Sequence, residues 1–479
     1  VAPVKNPGLS HPVECLEKHR TDFFQASEKI VTDKIIRVNM ATITGDASAT
    51  GPQAGAGGAG NSMLSKADAD AVRSQNRRII LDHFRRFKVS TRRRMSEATG
   101  LSLSSTSAIG SDMVRSAILS EIGSAEPPKG RGRPEVSLEL CGAVARVAAV
   151  NITVGEIAVT VCDYAGATLA TGRRELGLSQ LSPGELVEAV LTLLSQATAG
   201  GVMGEGALRQ IVVCVQGVTD AAERRIAWSP VLQMRDVDIA TPIEAATGAV
   251  TRILNDCGAM PERFRWGNEV EAADFATLFI GFGVGMGLKL GGRTFRGSHT
   301  SAVEFGHLNH IPRGDLCRCG NRGCIEAYAG DYAIWRAARG APSAVERRVP
   351  DADMRGLAAA ARGGEGAAKE AFARAGEAIG YGLGRLFALI DPLPIVFVGS
   401  GAAAMDLLEP SIRRGIAESA IAGAGADIPF HVLPDVDRVT MEAATTLALA
   451  AVDEEFSRAP SAGARMETVG SALAAEAVP

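Results

Sequence analysis

One histidine and three cysteines, His307, Cys317, Cys319 and Cys324, fall within eighteen residues, and no other feature of the chain restricts its folding as tightly. An imidazole and three thiolates make a complete tetrahedral set for Zn²⁺, and the intervening glycines permit the tight loop that converging ligands require. Four protein ligands leave no open coordination position, so zinc here is expected to be structural and not to activate water. Packing gives no reason for three cysteines in a polar, Gly-rich segment. The chain carries 8 Cys in all. The first thirty residues are interrupted by Lys5, Glu14, Glu17, Lys18, Arg20 and Asp22 and lack the apolar core of a secretory signal. The expected location is therefore the cytoplasm, where thiols and metal ligands are commoner than disulfides.

At 479 residues and 46 % hydrophobic, the chain is long enough for two or three domains. No apolar run approaches the roughly 18 residues of a membrane helix. The net charge of -4 conceals a strong asymmetry, because residues 73–134 hold thirteen Lys and Arg against five Asp and Glu. A basic module on an acidic body implies a polyanion partner for the module.

Residues 1–72 end in a low-complexity Ala/Gly stretch, Ala47 to Gly60, and read as a flexible tail; Met40 and Met63 leave the translation start open. From Ser74 the pattern is helical, with Ile79, Ile80, Phe84 and Phe87 opposite Arg77, Arg78 and Arg85. A second helix starts at the Ser90/Thr91 cap, turns Met95 and Ala98 inward and stops at Gly100. A third begins at Ser102 and runs through Ile109 and Met113. Together they predict a helix-turn-helix domain over 73–134, with the third helix for recognition. The residues expected at DNA are Arg92, Arg93, Ser102, Ser104, Ser105 and Thr106. Arg131 and Arg133 in Lys129-Gly130-Arg131-Gly132-Arg133-Pro134 form a slim basic strip suited to a narrow minor groove.

Residues 143–453 alternate strands (from Val144, Ile157, Gln210, Thr277 and Ile395) with helices (Pro183 to Ala197, Thr241 to Asn255, Ala367 to Leu389), which implies an α/β fold in two lobes. From Glu454 a polar, Ala/Ser-rich tail is expected to be disordered.

The run Gly281-Phe282-Gly283-Val284-Gly285-Met286-Gly287, then Glu304-Phe305-Gly306-His307, then Cys317 to Glu326 resembles the ROK family of repressors and sugar kinases. The resemblance covers roughly residues 74–453. It implies a two-lobed, actin-like sugar-kinase fold of the ribonuclease H-like ATPase type with a sugar site in its cleft, preceded by an all-α or α+β winged helix-turn-helix domain of the kind the family's repressors carry, which the basic module with its Gly130-Arg131-Gly132-Arg133-Pro134 exit resembles. His307, Cys317, Cys319 and Cys324 match the family's zinc ligands. Asn268, Glu304, His307 and Glu326 match its sugar contacts, and Glu269 stands at the position matched to the catalytic base, where the family has Asp.

The resemblance also implies a first phosphate loop reading Asp-Ile-Gly-Gly-Thr-Lys, matched here by Asn151-Ile152-Thr153-Val154-Gly155-Glu156. Side chains on Thr153 and Val154 obstruct backbone approach to phosphate, and Glu156 repels it. Phe282 replaces a Thr of the second loop, and Val231 an Asn often found near the sugar. The expectation is a DNA-binding transcriptional repressor, a degenerate kinase whose cleft senses a sugar or related effector without phosphorylating it. Its expected partners are double-stranded operator DNA and further copies of itself as a homodimer or homotetramer, associated with the nucleoid and not with a membrane. The alternatives are an ATP-dependent sugar kinase with a vestigial DNA module and a zinc-stabilised scaffold.

Overall fold

The computed structural model describes residues 60–123, 136–198, 206–267, 269–270, 272–301, 303–340, 349–419 and 427–458. Asn268, the strip with Arg131 and Arg133, and both tails beyond 60 and 458 lie outside the described residues. The chain divides into two compact units, 1–67 and 68–479, and the account below is of the second.

Helix α1 (Gly60–Phe87) begins well before Ser74, because Ala67, Ala69 and Ala71 continue its helical propensity upstream. Its C-terminal half leads into β1 (Val89–Thr91), α2 (Arg92–Thr99), α3 (Leu103–Arg115), β2 (Leu119–Ile122) and β3 (Ser137–Leu140). Thr91 caps α2, Gly100 ends it in the left-handed region at φ 71°, and Ser102 caps α3. The strands form an antiparallel sheet in the order β1-β3-β2, so three helices and a small sheet close the module, its last strand lying past residue 134. Ile80, Leu81, Phe84, Met95, Met113 and Leu138 share its core.

The structure departs from the expected helix faces at four positions. Phe87 is 58 % exposed and Ala98 is exposed, whereas Arg77 and Arg85, expected on the solvent face, are buried. Each arginine is buried with a partner, Arg77 with Asp112 at 2.6 Å and Arg85 with Asp453 at 2.8 Å, which is how a guanidinium survives desolvation.

The body contains two sheets of the same topology. The first comprises β4 (Arg146–Thr153), β5 (Glu156–Asp163), β6 (Thr168–Glu175), then, after α4 (Pro183–Thr198), β7 (Leu208–Val215). A small antiparallel sheet of β8 (Val218–Thr219), β9 (Arg225–Trp228) and β10 (Arg235–Asp238) and helix α5 (Ala240–Thr247) precede its last strand, β11 (Val250–Asn255). Helix α6 (Asp256–Ala259) and a 3-10 turn over Met260–Phe264 cross to the second sheet, β12 (Phe275–Ile280), β13 (Val284–Leu290) and β14 (Arg293–Thr294). There follow α7 (Glu326–Ala329), α8 (Asp331–Arg339), α9 (Asp351–Arg362), α10 (Gly366–Ile390), β15 (Ile395–Val398), α11 (Met405–Ser419), β16 (Phe430–Leu433) and α12 (Val436–Arg458).

The strand orders are β11-β7-β4-β5-β6 and β14-β13-β12-β15-β16. In each, the first three strands are antiparallel and the last two join the first in parallel. Helix α12 returns to the first sheet, where Ala444, Leu447, Ala448 and Val452 pack with Val147, Val212 and the module's Ile80 and Phe84. It continues to Arg458, tied by an Arg458–Glu454 pair, beyond the point where a disordered tail was expected.

The stretch read as one helix from Thr241 to Asn255 is a helix and a strand. Gly248 ends α5 at φ 71°, and the β-branched Val250, Thr251 and Ile253 then pair in parallel with β7.

Candidate functional site

Ligands of open α/β sheets bind beyond the carboxyl ends of parallel strands. Here the ends of β7 and β11 from one sheet face the β12–β13 turn of the other across a cleft of about 700 Å³. Gln216, Trp228, Pro230, Asn255 and Asp256 line it from the first lobe, and Phe282 to Met286, Glu304, His307, Arg318, Cys319 and Glu326 from the second.

Glu304, His307 and Glu326 are thus brought together as expected. Glu326 is buried at the start of α7; Val284 N–H donates to its Oε2 at 3.3 Å, and Tyr332 O–H to its Oε1 at 3.5 Å. A Cβ at Gly283 would meet Glu326 Oε2 at 2.9 Å, so the glycine lets the turn close over the carboxylate. His307 turns Nε2 toward Glu304 Oε2 at 3.8 Å and Nδ1 toward Cys317 Sγ at 3.7 Å, one nitrogen for the cleft and one for the thiols.

The ligand atoms of His307, Cys317, Cys319 and Cys324 all lie within 4.8 Å of one another. Cys319 Sγ and Cys324 Sγ are 3.8 Å apart, which matches the edge of about 3.8 Å that a tetrahedron of Zn–S bonds of about 2.3 Å requires. Burial pushes the Cys317 thiol well up and the Cys324 thiol up to about 11, so three thiolates so close need a cation. The residues fit a metal ion.

Glu269 is a correction. Its side chain is 58 % exposed, is held by Arg263 and lines no part of the cleft. Exposed and already ion-paired, it is not placed to meet a ligand beside Glu304. The carboxylate that joins Glu304 and Glu326 in the cleft is Asp256, 6 % exposed, which burial pushes up to about 6. Asp256 was missed because the segment before it was read as helix; an Asn-Asp pair at the end of a parallel strand is the signal that would have found it. Trp228 and Arg318 were missed too. Arg318 stacks between Phe282 and Tyr332, its guanidinium carbon 3.6 and 4.2 Å from the ring centres. Val231 is buried and does not line the cleft.

A larger opening, about 1770 Å³ with its mouth, lies behind Asp256 and Phe282. Asn151, Thr153, Val154 and Glu156 line it, with Gly281 and Gly399 to Gly401 opposite. Glu156 is ion-paired with Arg173 at 3.1 Å.

On the module, Arg93 is exposed and paired with Glu97, and Arg92 with Glu121 at 3.0 Å. Ser102 and Ser104 are exposed and Ser105 is half-buried; Ser102 Oγ lies 2.9 Å from Ser104 Oγ and accepts from Ser105 N–H at 3.1 Å. Thr106 cannot reach a base edge, because it is fully buried and donates to backbone oxygens of its own helix, Leu103 O at 3.1 Å among them.

Comparison with known proteins returns the ROK family over residues 147–435. A glucokinase of Streptomyces coelicolor is 26 % identical over 280 residues, 55 % of this chain and 85 % of that one. The DNA-binding transcriptional dual regulator NagC of Escherichia coli is 22 % identical over 369 residues, 76 % of this chain and 89 % of its own. Among solved structures, a ROK family transcriptional regulator homologous to the Escherichia coli MLC protein superposes with a TM-score of 0.66 at 20 % identity, covering 81 % of this chain and 99 % of that chain.

Proposed function

Because the chain belongs to the ROK family, we propose that it is a DNA-binding transcriptional repressor whose two-lobed body binds a sugar or sugar derivative without phosphorylating it. The observation that carries this reading is the union, in one chain, of a winged module seated on the body through Arg85 and Asp453 with a cleft holding Asp256, Glu304, His307 and Glu326. A polyol needs several fixed acceptors and donors around its ring, and these side chains supply them beside the Trp228 ring. Asn268 joins this set as a sugar contact.

The metal is zinc and its role is structural, since its four ligands leave no position for water. It holds His307, and with it the segment that carries Glu304, against the start of α7.

The absence of phosphoryl transfer rests on the β4–β5 turn. Thr153, Val154 and Glu156 line the larger opening where an incoming phosphate requires bare backbone N–H groups and positive charge. Asp256 remains a carboxylate at the wall between the two cavities, so position 269 plays no part in the loss. In a sensor, Asp256 accepts a hydrogen bond from a ligand hydroxyl.

Recognition of DNA falls to Arg92, Arg93, Ser102, Ser104 and Ser105, with Arg131 and Arg133 in the minor groove. Two modules on two half-sites require a homodimer or homotetramer. Among the described residues no helix is long and apolar enough to cross a membrane. The working compartment is the cytoplasm, at the nucleoid.

A thermal-shift screen of zinc-loaded protein against glucose, xylose, N-acetylglucosamine, their 6-phosphates and ATP with Mg²⁺ tests the reading, because ligands of the native state raise Tm. A sugar is expected to shift Tm and ATP is not; a clear ATP shift would restore the kinase. Asp256 must be ionised to accept fully from a hydroxyl, so sugar affinity is expected to rise by about threefold to tenfold as pH goes from 5 to 7 through its value near 6. Asp256→Asn is expected to flatten that profile, and an unchanged profile would remove Asp256 from the contact set.

A further inference from the structure

The sugar-sensing reading leaves open how the cleft speaks to the module, and this inference rests on that reading. We infer that residues 256–266 form a lever whose first turn lines the cleft and whose end, through the Trp266 Nε1–H to Asp82 hydrogen bond, sets the seat of α1. The cleft end is Asp256 and Cys257. Cys257, Met260 and Phe264 pack in one apolar cluster with Phe275 and Phe279 of β12 and Val396 and Val398 of β15, the strands of the second sheet. A Cβ at Gly285 would strike Cys257 Sγ at 2.4 Å, and one at Gly287 would strike Cys257 O at 2.3 Å. Those two glycines therefore keep α6 tight against β13, and a shift of β13 must carry α6 with it.

The far end lies in a different apolar cluster, shared by the module, the first sheet and α12. Trp266 packs against the cluster of Ile80, Leu81 and Phe84, and its Nε1–H donates to Asp82 Oδ1 at 3.0 Å. One turn further along α1, Arg85 is fixed to Asp453 of α12, which rests on the first sheet. Between the two ends Arg263 donates to Glu442 of α12 at 2.6 Å, which supplies the pivot. Helix α1 is thus gripped at Asp82 by the lever and at Arg85 by the first lobe. When the lobes close on a ligand those grips move relative to each other, and α1 cannot follow both. Its own link to the recognition helix is the buried Arg77–Asp112 pair.

A ligand achieves this only if it binds one lobe arrangement better than the other, and coupling energies of this kind change affinity about 5- to 150-fold. The test uses full-length, zinc-loaded protein, operator DNA selected by it from a random duplex pool, and the sugar giving the largest thermal shift. Trp266→Phe keeps the aromatic packing and removes the donor. It is expected to bind the sugar within about twofold of wild type and operator within about threefold, while the sugar-induced change in operator affinity falls from about tenfold or more to under threefold. Asp82→Asn retains an acceptor oxygen and is expected to restore the response that Asp82→Ala loses. A full sugar response in Trp266→Phe would overturn the lever.

If no sugar alters operator binding by the wild type, the sensor reading has failed and amide exchange decides the lever alone. Because Trp266 holds Asp82 of α1, seating the module on operator must then change protection over residues 260–266 in the wild type and not in Trp266→Phe. No change in the wild type would overturn it.

Discussion

Stripping the proposed zinc with a tight chelator is expected to release about one metal ion per chain, lower Tm by about 10 °C or more and abolish sugar binding. From Phe295 to Ile325 the described chain has one 3-10 turn and isolated bridges such as Asn309 with Cys324 and Leu316 with Arg322, with no ladder to hold it. Metal–ligand bonds of the proposed zinc would take the place of that missing ladder, and in such segments binding energy is folding energy. Glu304 and Glu326 flank the ligand set, so a loosened loop scatters the cleft's acceptors. Elemental analysis, a thermal scan and sugar titration before and after chelation, with zinc added back, check the three effects separately. Protein that is fully stable and sugar-competent after complete metal loss would show that packing alone holds the segment.

Replacing Asp453 by Ala is expected to cost about 3–5 kcal/mol of stability. Arg85 reaches both Asp453 oxygens, Nε at 2.9 Å and Nη2 at 2.8 Å, and the Tyr164 hydroxyl donates to the same carboxylate at 2.7 Å. The side chains of Arg85 and Asp453 are only 1 % and 6 % exposed, so truncation strands a guanidinium and a phenol away from water. Tyr164→Phe removes one donor and leaves the ion pair, and about 1 kcal/mol is expected from it. Denaturant unfolding with a module probe and a body probe measures both variants. A loss under about 1 kcal/mol for Asp453→Ala would mean that water reaches the network.

What the residues announced and what they concealed divide along a physical line. The convergence of His307 with three cysteines into a set able to hold a metal ion was legible because coordination geometry is local and needs no help from distant sequence. Strand β15 and helix α10 were legible because apolar runs and long amphipathic periods outlast boundary errors. Asp256 was hidden because the apolar residues of α5 and β11 continue across Gly248 and imitate one helix, so its place at a strand end was lost. Glu269 was matched through the family resemblance, which says nothing of which residue the crossover turns outward. Arg77 and Arg85 defeated periodicity for another reason. Each is buried against an acid, Asp112 35 residues away and Asp453 368 residues away, and no local pattern encodes such a partner. Thr106 failed because hydroxyl chemistry alone cannot tell a helix's outer face from its inner one.

Helix α12, the last described element, completes the first sheet's packing and supplies the acid beneath the module. During synthesis the module and the first lobe emerge hundreds of residues before the helix that seats them. The nascent chain therefore carries an apolar face on β4 and β7 and an uncompensated Arg85 until α12 leaves the ribosome, a state that invites chaperone capture. A chain truncated before residue 436 keeps the module's own helices but lacks Asp453, their anchor on the body.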